Sequence, residues 1–248
     1  MEGRHPHAIR LIRTNCTDPH LEDGFNKWYD RVHVPEVLSS GMVSHVIRYR
    51  NADPDDAGPG YLAVHELAWT DLEEVARAVT RTRRRLTEQA GFPPGMEIVK
   101  VESWKRIGPS LATPRAGQVP AAGIFIIESR CIDPQREQEF NAWYDDVHIP
   151  DLLDTGLFSA AYRFASVAEG RIVGPGVPDG AARPVPGSGV SAPTTYLAIH
   201  EIDGSPVART AEFARTHQPR LRAAGRLSDI IEVTWRGVYR TVLSASGR

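Results

Sequence analysis

The chain has 248 residues and a formal net charge of -2 at pH 7, long enough to bury a real core but without the excess of positive charge that holds a phosphate backbone, so nucleic acid is not an expected partner. No apolar run approaches the roughly 20 residues needed to cross a bilayer, and residues 1–7 lack the apolar stretch of a secretory signal, so the expectation is a cytoplasmic protein away from membranes.

The first apolar run, 8–14, reads as a strand. Asp18 and Pro19 follow as an N-cap and a first helical residue, where proline's missing N–H costs nothing. Leu21, Phe25, Trp28, Tyr29 and Val32 then recur at helical spacing and form one apolar face. Because a residue before proline is pushed out of helical geometry, this helix is expected to end near His33, two residues before Pro35. Alternation predicts strands over 43–49 and 61–67, a second helix over 71–89 and a closing strand over 97–106. Residues 108–122 have the Pro, Gly and Ala composition of a linker.

The same elements then return. Phe25-Asn26-Lys27-Trp28-Tyr29-Asp30-Arg31-Val32-His33-Val34-Pro35-Glu36 aligns with Phe140-Asn141-Ala142-Trp143-Tyr144-Asp145-Asp146-Val147-His148-Ile149-Pro150-Asp151 at a constant offset (148 − 33 = 115). That offset also pairs Cys16 with Cys131, Gly41 with Gly156 and Arg48 with Arg163, too many matches in register for chance. Tyr61 to Glu66 match Tyr196 to Glu201 at a larger offset (200 − 65 = 135), so the second copy carries an insertion, at about 165–195, rich in Pro and Gly. A stretch of that composition is a functional loop, such as a lid over a cavity, or a disordered one. Two units follow, 1–107 and 123–243, each βαββαβ: an α+β, ferredoxin-like order with both helices on one face of a four-stranded antiparallel sheet. The uncovered sheet face of each unit must be buried, and the other unit is the obvious cover.

The helix-end signature, the element order and the duplication together resemble the dimeric α/β-barrel superfamily, and most of all its EthD-like members, with the barrel here closed inside one chain. The resemblance implies small-molecule chemistry in a cavity and His33 and His148 as cavity-facing residues. It does not choose a reaction, since one fold hosts many.

The residues supply candidates. An imidazole titrates near neutrality, so His33 and His148 are candidate bases, with capping of the helix end as the structural alternative. Asp30 and Asp145, one α-helical turn earlier, either support those imidazoles or pair with arginines. Trp28, Trp143, Tyr29 and Tyr144 are core or cavity wall, the tyrosines also possible proton donors. Arg48 and Arg163 on the second strands are candidate binders of a carboxylate or enolate oxygen. Tyr61, His65, Tyr196 and His200 share one face of the third strands; if that face looks into the barrel they join the cavity, and if it looks at the helices Glu66 and Glu201 take their place. No metal-ligand spacing or phosphate loop occurs, so neither metal nor nucleotide is expected; haem, which needs one axial His, stays open.

The leading expectation is therefore a cofactor-independent acid/base enzyme on a small aromatic or polyketide-like metabolite, a lyase or isomerase of secondary metabolism performing cyclisation, dehydration, isomerisation or decarboxylation. The alternatives are a cofactor-free monooxygenase on an electron-rich aromatic and a non-catalytic ligand-binding protein. Pairing of chains into a homodimer is left open.

Overall fold

The computed structural model describes residues 1, 4–53, 55–68, 91–167, 194–204 and 207–247. The helix expected over 71–89 and nearly all of the insertion, with any lid it forms, lie outside them. The first unit contributes β1 (Ala8–Cys16), α1 (Glu22–Trp28), α2 (Val34–Ser39), β2 (Val43–Asn51), β3 (Tyr61–Leu67) and β4 (Met96–Ala112). The second contributes β5 (Gly123–Cys131), α3 (Glu137–Trp143), α4 (Ile149–Asp154), β6 (Phe158–Ser166), β7 (Thr195–Ile202), α5 (Val207–Ala223) and β8 (Ile231–Ser246). Asp18 and Asp133 cap their helices as their sequence suggests, accepting from the backbone N–H of His20 and Gln135 at 2.9 and 3.0 Å. Gly41 and Gly156 end them in the left-handed region, each at φ 70°.

All eight strands close into one antiparallel barrel in the order β1-β3-β2-β8-β5-β7-β6-β4. Closure is achieved by the last strand of each unit. β4 runs for 17 residues, well past the 97–106 expected, and β8 for 16, and each pairs first with its own unit and then with the other. Trp104 to Ile107 lie opposite Ser166 to Arg163, and His45 to Asn51 lie opposite Ser246 to Tyr239. Residues 108–112 of the expected linker are thus strand, and the ring leaves no free sheet edge.

The two uncovered sheet faces bury each other inside this ring. Ile9, Leu11, Leu62, Trp104, Ile126, Tyr162, Ile199 and Tyr239 belong to one cluster drawn from strands of both units, and each is fully buried. The expected hollow between the sheets is therefore a packed core. Its ends hold charge in pairs: Arg13 bonds Glu128, its counterpart in the repeat, at 2.5 Å, while Glu66 and Glu201 share the Met1 amine, 2.8 Å from Glu201. No described helix is long and apolar enough to cross a membrane.

Candidate active site

Since the barrel is full, the histidines lie outside it, between the sheet and the helices. Tyr61, Ala63 and Leu67 pack with Phe25, Tyr29 and Val34 in the helix-side cluster, and Tyr196 and Ala198 do the same with Phe140 and Tyr144. The face carrying His65 and His200 therefore looks at the helices, and yet it meets His33 and His148, because those two approach from the helix side. Ring centroids are 6.2 Å apart for His33 and His65 and 6.4 Å for His148 and His200.

A local departure from α geometry aims them. The helix does not end at the histidine; it passes through a π-turn, Tyr29–His33 in one unit and Tyr144–His148 in the other, and continues as α2 or α4. The N–H groups of Val34 and Ile149 bond back five residues, to the Tyr29 and Tyr144 carbonyls. The wider turn accommodates Pro35 and Pro150 at the start of the next segment. Five-residue phasing also stacks His33 on Trp28 and His148 on Trp143, at 5.2 and 4.7 Å with interplanar angles of 10° and 16°. The imidazoles do not cap the helix, because the helix goes on.

The same phasing turns the aspartates away. Residues three apart face each other in an α-helix and not in a π-turn, so Asp30 and Asp145 make no hydrogen bond to the histidines among the described residues. Instead Arg48 bonds Asp30, and Arg163 bonds Asp145 at 3.0 Å. Each guanidinium also bonds the side-chain oxygen of Asn26 or Asn141, at 2.9 and 2.6 Å, and lies over the ring of Tyr29 or Tyr144, at 4.1 and 4.5 Å. The Asn26 and Asn141 amides donate to the Tyr61 and Tyr196 hydroxyls, which donate to Glu22 and Glu137. Phe25 packs beneath. Most of the signature therefore reads as a clip that fastens the helix to the sheet through one buried arginine, and the candidate enolate binders Arg48 and Arg163 are fully engaged in it.

This clip predicts a stability effect. Asp145→Ala leaves the Arg163 guanidinium, 2% exposed, buried without a counter-charge, and the expected loss is about 3 kcal/mol. Asp146→Ala, at the exposed neighbouring position, is expected to change stability by less than about 0.5 kcal/mol. Urea unfolding of both variants checks the pair; equal midpoints refute the clip.

Burial sets the protonation states. His33 is lowered to about 4, first by loss of solvent and then by the Arg48 charge; His200 is lowered to about 4 by loss of solvent, the Phe125 carbonyl opposing. His65 and His148 are held well below the usual imidazole range, mainly by burial and then by their histidine neighbours. At neutral pH all four are uncharged. Tyr29 is pushed up to about 12 and Tyr144 is raised, in both cases by burial, so neither is a ready proton donor.

In the second unit His148 and Tyr144 border a pocket under α5. Phe125, Ile127, Trp143, Tyr144, His148, Ala214, His217, Leu221, Val233 and Arg236 line it, and it encloses about 30 Å3 of free space, room for a water or two. His217, 5.7 Å from His148 and stacked on Phe213 at 4.5 Å, completes a group of three imidazoles. Arg236 reaches Gln218 at 3.4 Å. Neither His217 nor Arg236 figures among the residues picked out from sequence. The signal for His217 is present: Thr210, Ala214, His217 and Leu221 follow helical spacing, with an imidazole on a stripe that otherwise faces the core.

Among the described residues no group of three or more His, Cys, Asp or Glu side chains is arranged to hold a metal ion. At about 30 Å3 the pocket as it stands has no room for a haem macrocycle. Cys16 and Cys131 are free thiols, each donating to the carbonyl of the aspartate two residues on, at 3.2 and 3.0 Å.

No protein-family model and no curated protein matches the sequence. Solved structures do match over the whole chain. An anthrone oxidase-like protein is 12% identical with a TM-score of 0.55, covering 100% of this chain and 96% of its own. A "putative monooxygenase" from Fusobacterium nucleatum is 8% identical with a TM-score of 0.53, covering 98% and 96%. Identities this low speak for the fold alone, and the fold is that of the dimeric α/β-barrel proteins, built here from two ferredoxin-like units in one chain.

Proposed function

We propose that the protein is a cofactor-independent oxidoreductase that uses molecular oxygen to oxidise a small, electron-rich aromatic or polyketide-like metabolite, in the pocket beneath α5. The observation that carries this reading is a group of three uncharged imidazoles with unpartnered ring nitrogens, His148 and His217 lining a largely apolar recess and His200 buried behind His148. The neutral ring is the form that accepts a proton, and burial keeps His148 in that form at pH 7. His148 removes a proton from an acidic C–H beside an aromatic carbonyl. Arg236, the guanidinium on the pocket wall, holds the resulting enolate oxygen, the role the sequence suggested for Arg48 or Arg163.

A delocalised carbanion is a reductant, and oxygen is a small apolar molecule suited to a dry recess. For a methylene the balance is CH2 + O2 → C=O + H2O: carbon gives up four electrons, the two oxygen atoms take them, and no other reductant is needed. Two of the fold neighbours carry names from oxygen chemistry, which favours this reading over cyclisation or dehydration by the same base.

The recess is too small for an aromatic ring, so binding requires α5 to move. Pro219 lies inside α5, one residue beyond Gln218, and removes the hydrogen bond to the Arg215 carbonyl at the point that must give. The test is turnover of anthrone-type and phenolic compounds with and without air, followed by an oxygen electrode. One oxygen consumed per quinone-type carbonyl formed, and nothing formed anaerobically, is the expected result. Product made without oxygen would restore the lyase or isomerase reading, and tight binding with no product would make the protein a ligand carrier.

A further inference from the structure

We infer that His200 is a positioning residue that fixes the tautomer of His148, taking the place that Asp145 vacates for Arg163. The ring of His200 is held by its own backbone neighbour: Nδ1 lies 3.2 Å from the carbonyl oxygen of Phe125, its cross-strand partner. A carbonyl only accepts, so Nδ1 carries the hydrogen, and in a neutral ring Nε2 is then a bare acceptor. That Nε2 is buried and has no partner.

His148 presents the complementary atom. Its Nδ1 is likewise buried without a partner, and its ring centroid is 6.4 Å from that of His200, so the inferred link between the two nitrogens runs through one bridging water. The arrangement is satisfied when His148 carries its hydrogen on Nδ1 and offers it, through that water, to His200 Nε2. The Nε2 lone pair of His148 is then the basic atom, free for a substrate proton. When His148 takes that proton, its Nδ1–H becomes a stronger donor to the same acceptor, and no second proton moves. The first unit repeats the motif, with His33 Nδ1 and His65 Nε2 buried, unpartnered and on rings 6.2 Å apart. Two copies that have otherwise diverged, in their insertion and at His45, keep the same pair.

The catalytic consequence rests on the proposed oxidative chemistry; the tautomer does not, so the two are tested separately. Imidazole nitrogen NMR of the uniformly 15N-labelled full-length protein at pH 7, assigned by single histidine substitutions, is expected to find both His148 and His200 as Nδ1–H tautomers. His200→Phe is expected to shift His148 towards the Nε2–H form, and His200→Gln, whose side-chain oxygen accepts, to restore Nδ1–H. An Nε2–H tautomer for His148 in the unaltered protein overturns the inference without any variant needing to fold, and so does an Nδ1–H tautomer indifferent to His200→Phe. In oxygen-dependent turnover His200→Phe is expected to lower kcat by about tenfold to a hundredfold at unchanged KM, with His200→Gln recovering most of it. An unchanged kcat removes the catalytic role. Absent oxygen uptake with the expected tautomers refutes the oxidative chemistry and leaves the positioning intact.

Discussion

Replacing His148 by alanine is expected to cut kcat for oxygen-dependent turnover by about 10²–10⁴-fold, the range over which a positioned general base contributes. Removing the imidazole also deepens an apolar pocket, so substrate affinity should hold or improve, and the loss falls on kcat. The low affinity of His148 for a proton does not argue against its role. Burial penalises the imidazolium standing alone, whereas in the transition state it stands beside a developing enolate, and an ion pair formed in a dry recess is stronger than one in water. His33→Ala serves as the comparison. Its ring also packs against a tryptophan and a second histidine, but the pocket holding His217 and Arg236 belongs to the second unit. A loss below about threefold for His33→Ala, against at least a hundredfold for His148→Ala, places the chemistry in that unit. The reverse pattern moves it to the first, and full activity in the double variant ends the acid/base reading.

The duplication was legible because it leaves a trace that needs no geometry: one offset, 115, aligning a twelve-residue signature, a cysteine, a glycine and an arginine. Element order followed from periodicity, and βαββαβ units with one bare face each lead to a barrel. How the barrel closes was less visible. Strand length past 106 is invisible to alternation when the continuation, Ile107-Gly108-Pro109-Ser110, reads as linker, and only the pairing with β6 makes it strand.

At the site, the residue types were readable and their directions were not. Asp30 and His33 are three apart, which means contact in an α-helix; the π-turn cancels that contact and creates the one between Trp28 and His33, five apart. A proline two residues after the histidine can mark either a helix end or a widened turn, and the choice depends on tertiary support from the Arg48 and Arg163 clips, which no local signal announces. Likewise, alternation placed Tyr61 and His65 on one face but could not tell which side of the sheet was in. His33 and His65 meet because helix and strand approach that face from opposite directions.

The same buried imidazoles predict how stability depends on pH. His65, His148 and His200 are 4%, 5% and 0% exposed, and each binds its proton less readily in the folded chain than in the unfolded one. Between the unfolded value near 6.5 and the folded value, about 4 for His200, the unfolded state therefore carries more protons, and stability falls as pH falls. A buried imidazole contributes a slope of up to about 1.4 kcal/mol per pH unit inside such a window, and His65, His148, His200 and His33 all act in the same sense. Glu102, raised by burial, acts in the opposite direction, but it is one group against several. Ordinary carboxylates titrate below this window, so the decline from pH 6.5 to 5 belongs to the histidines. Urea midpoints measured across pH 7.5 to 5 are expected to be level at the top and steep below 6.5, and the double replacement of His65 and His200 by Phe is expected to flatten the curve. A flat profile in the unaltered protein would mean that the imidazoles bind protons as readily in the folded chain as in the unfolded one, and with that the low-polarity recess needed for carbanion chemistry would be gone.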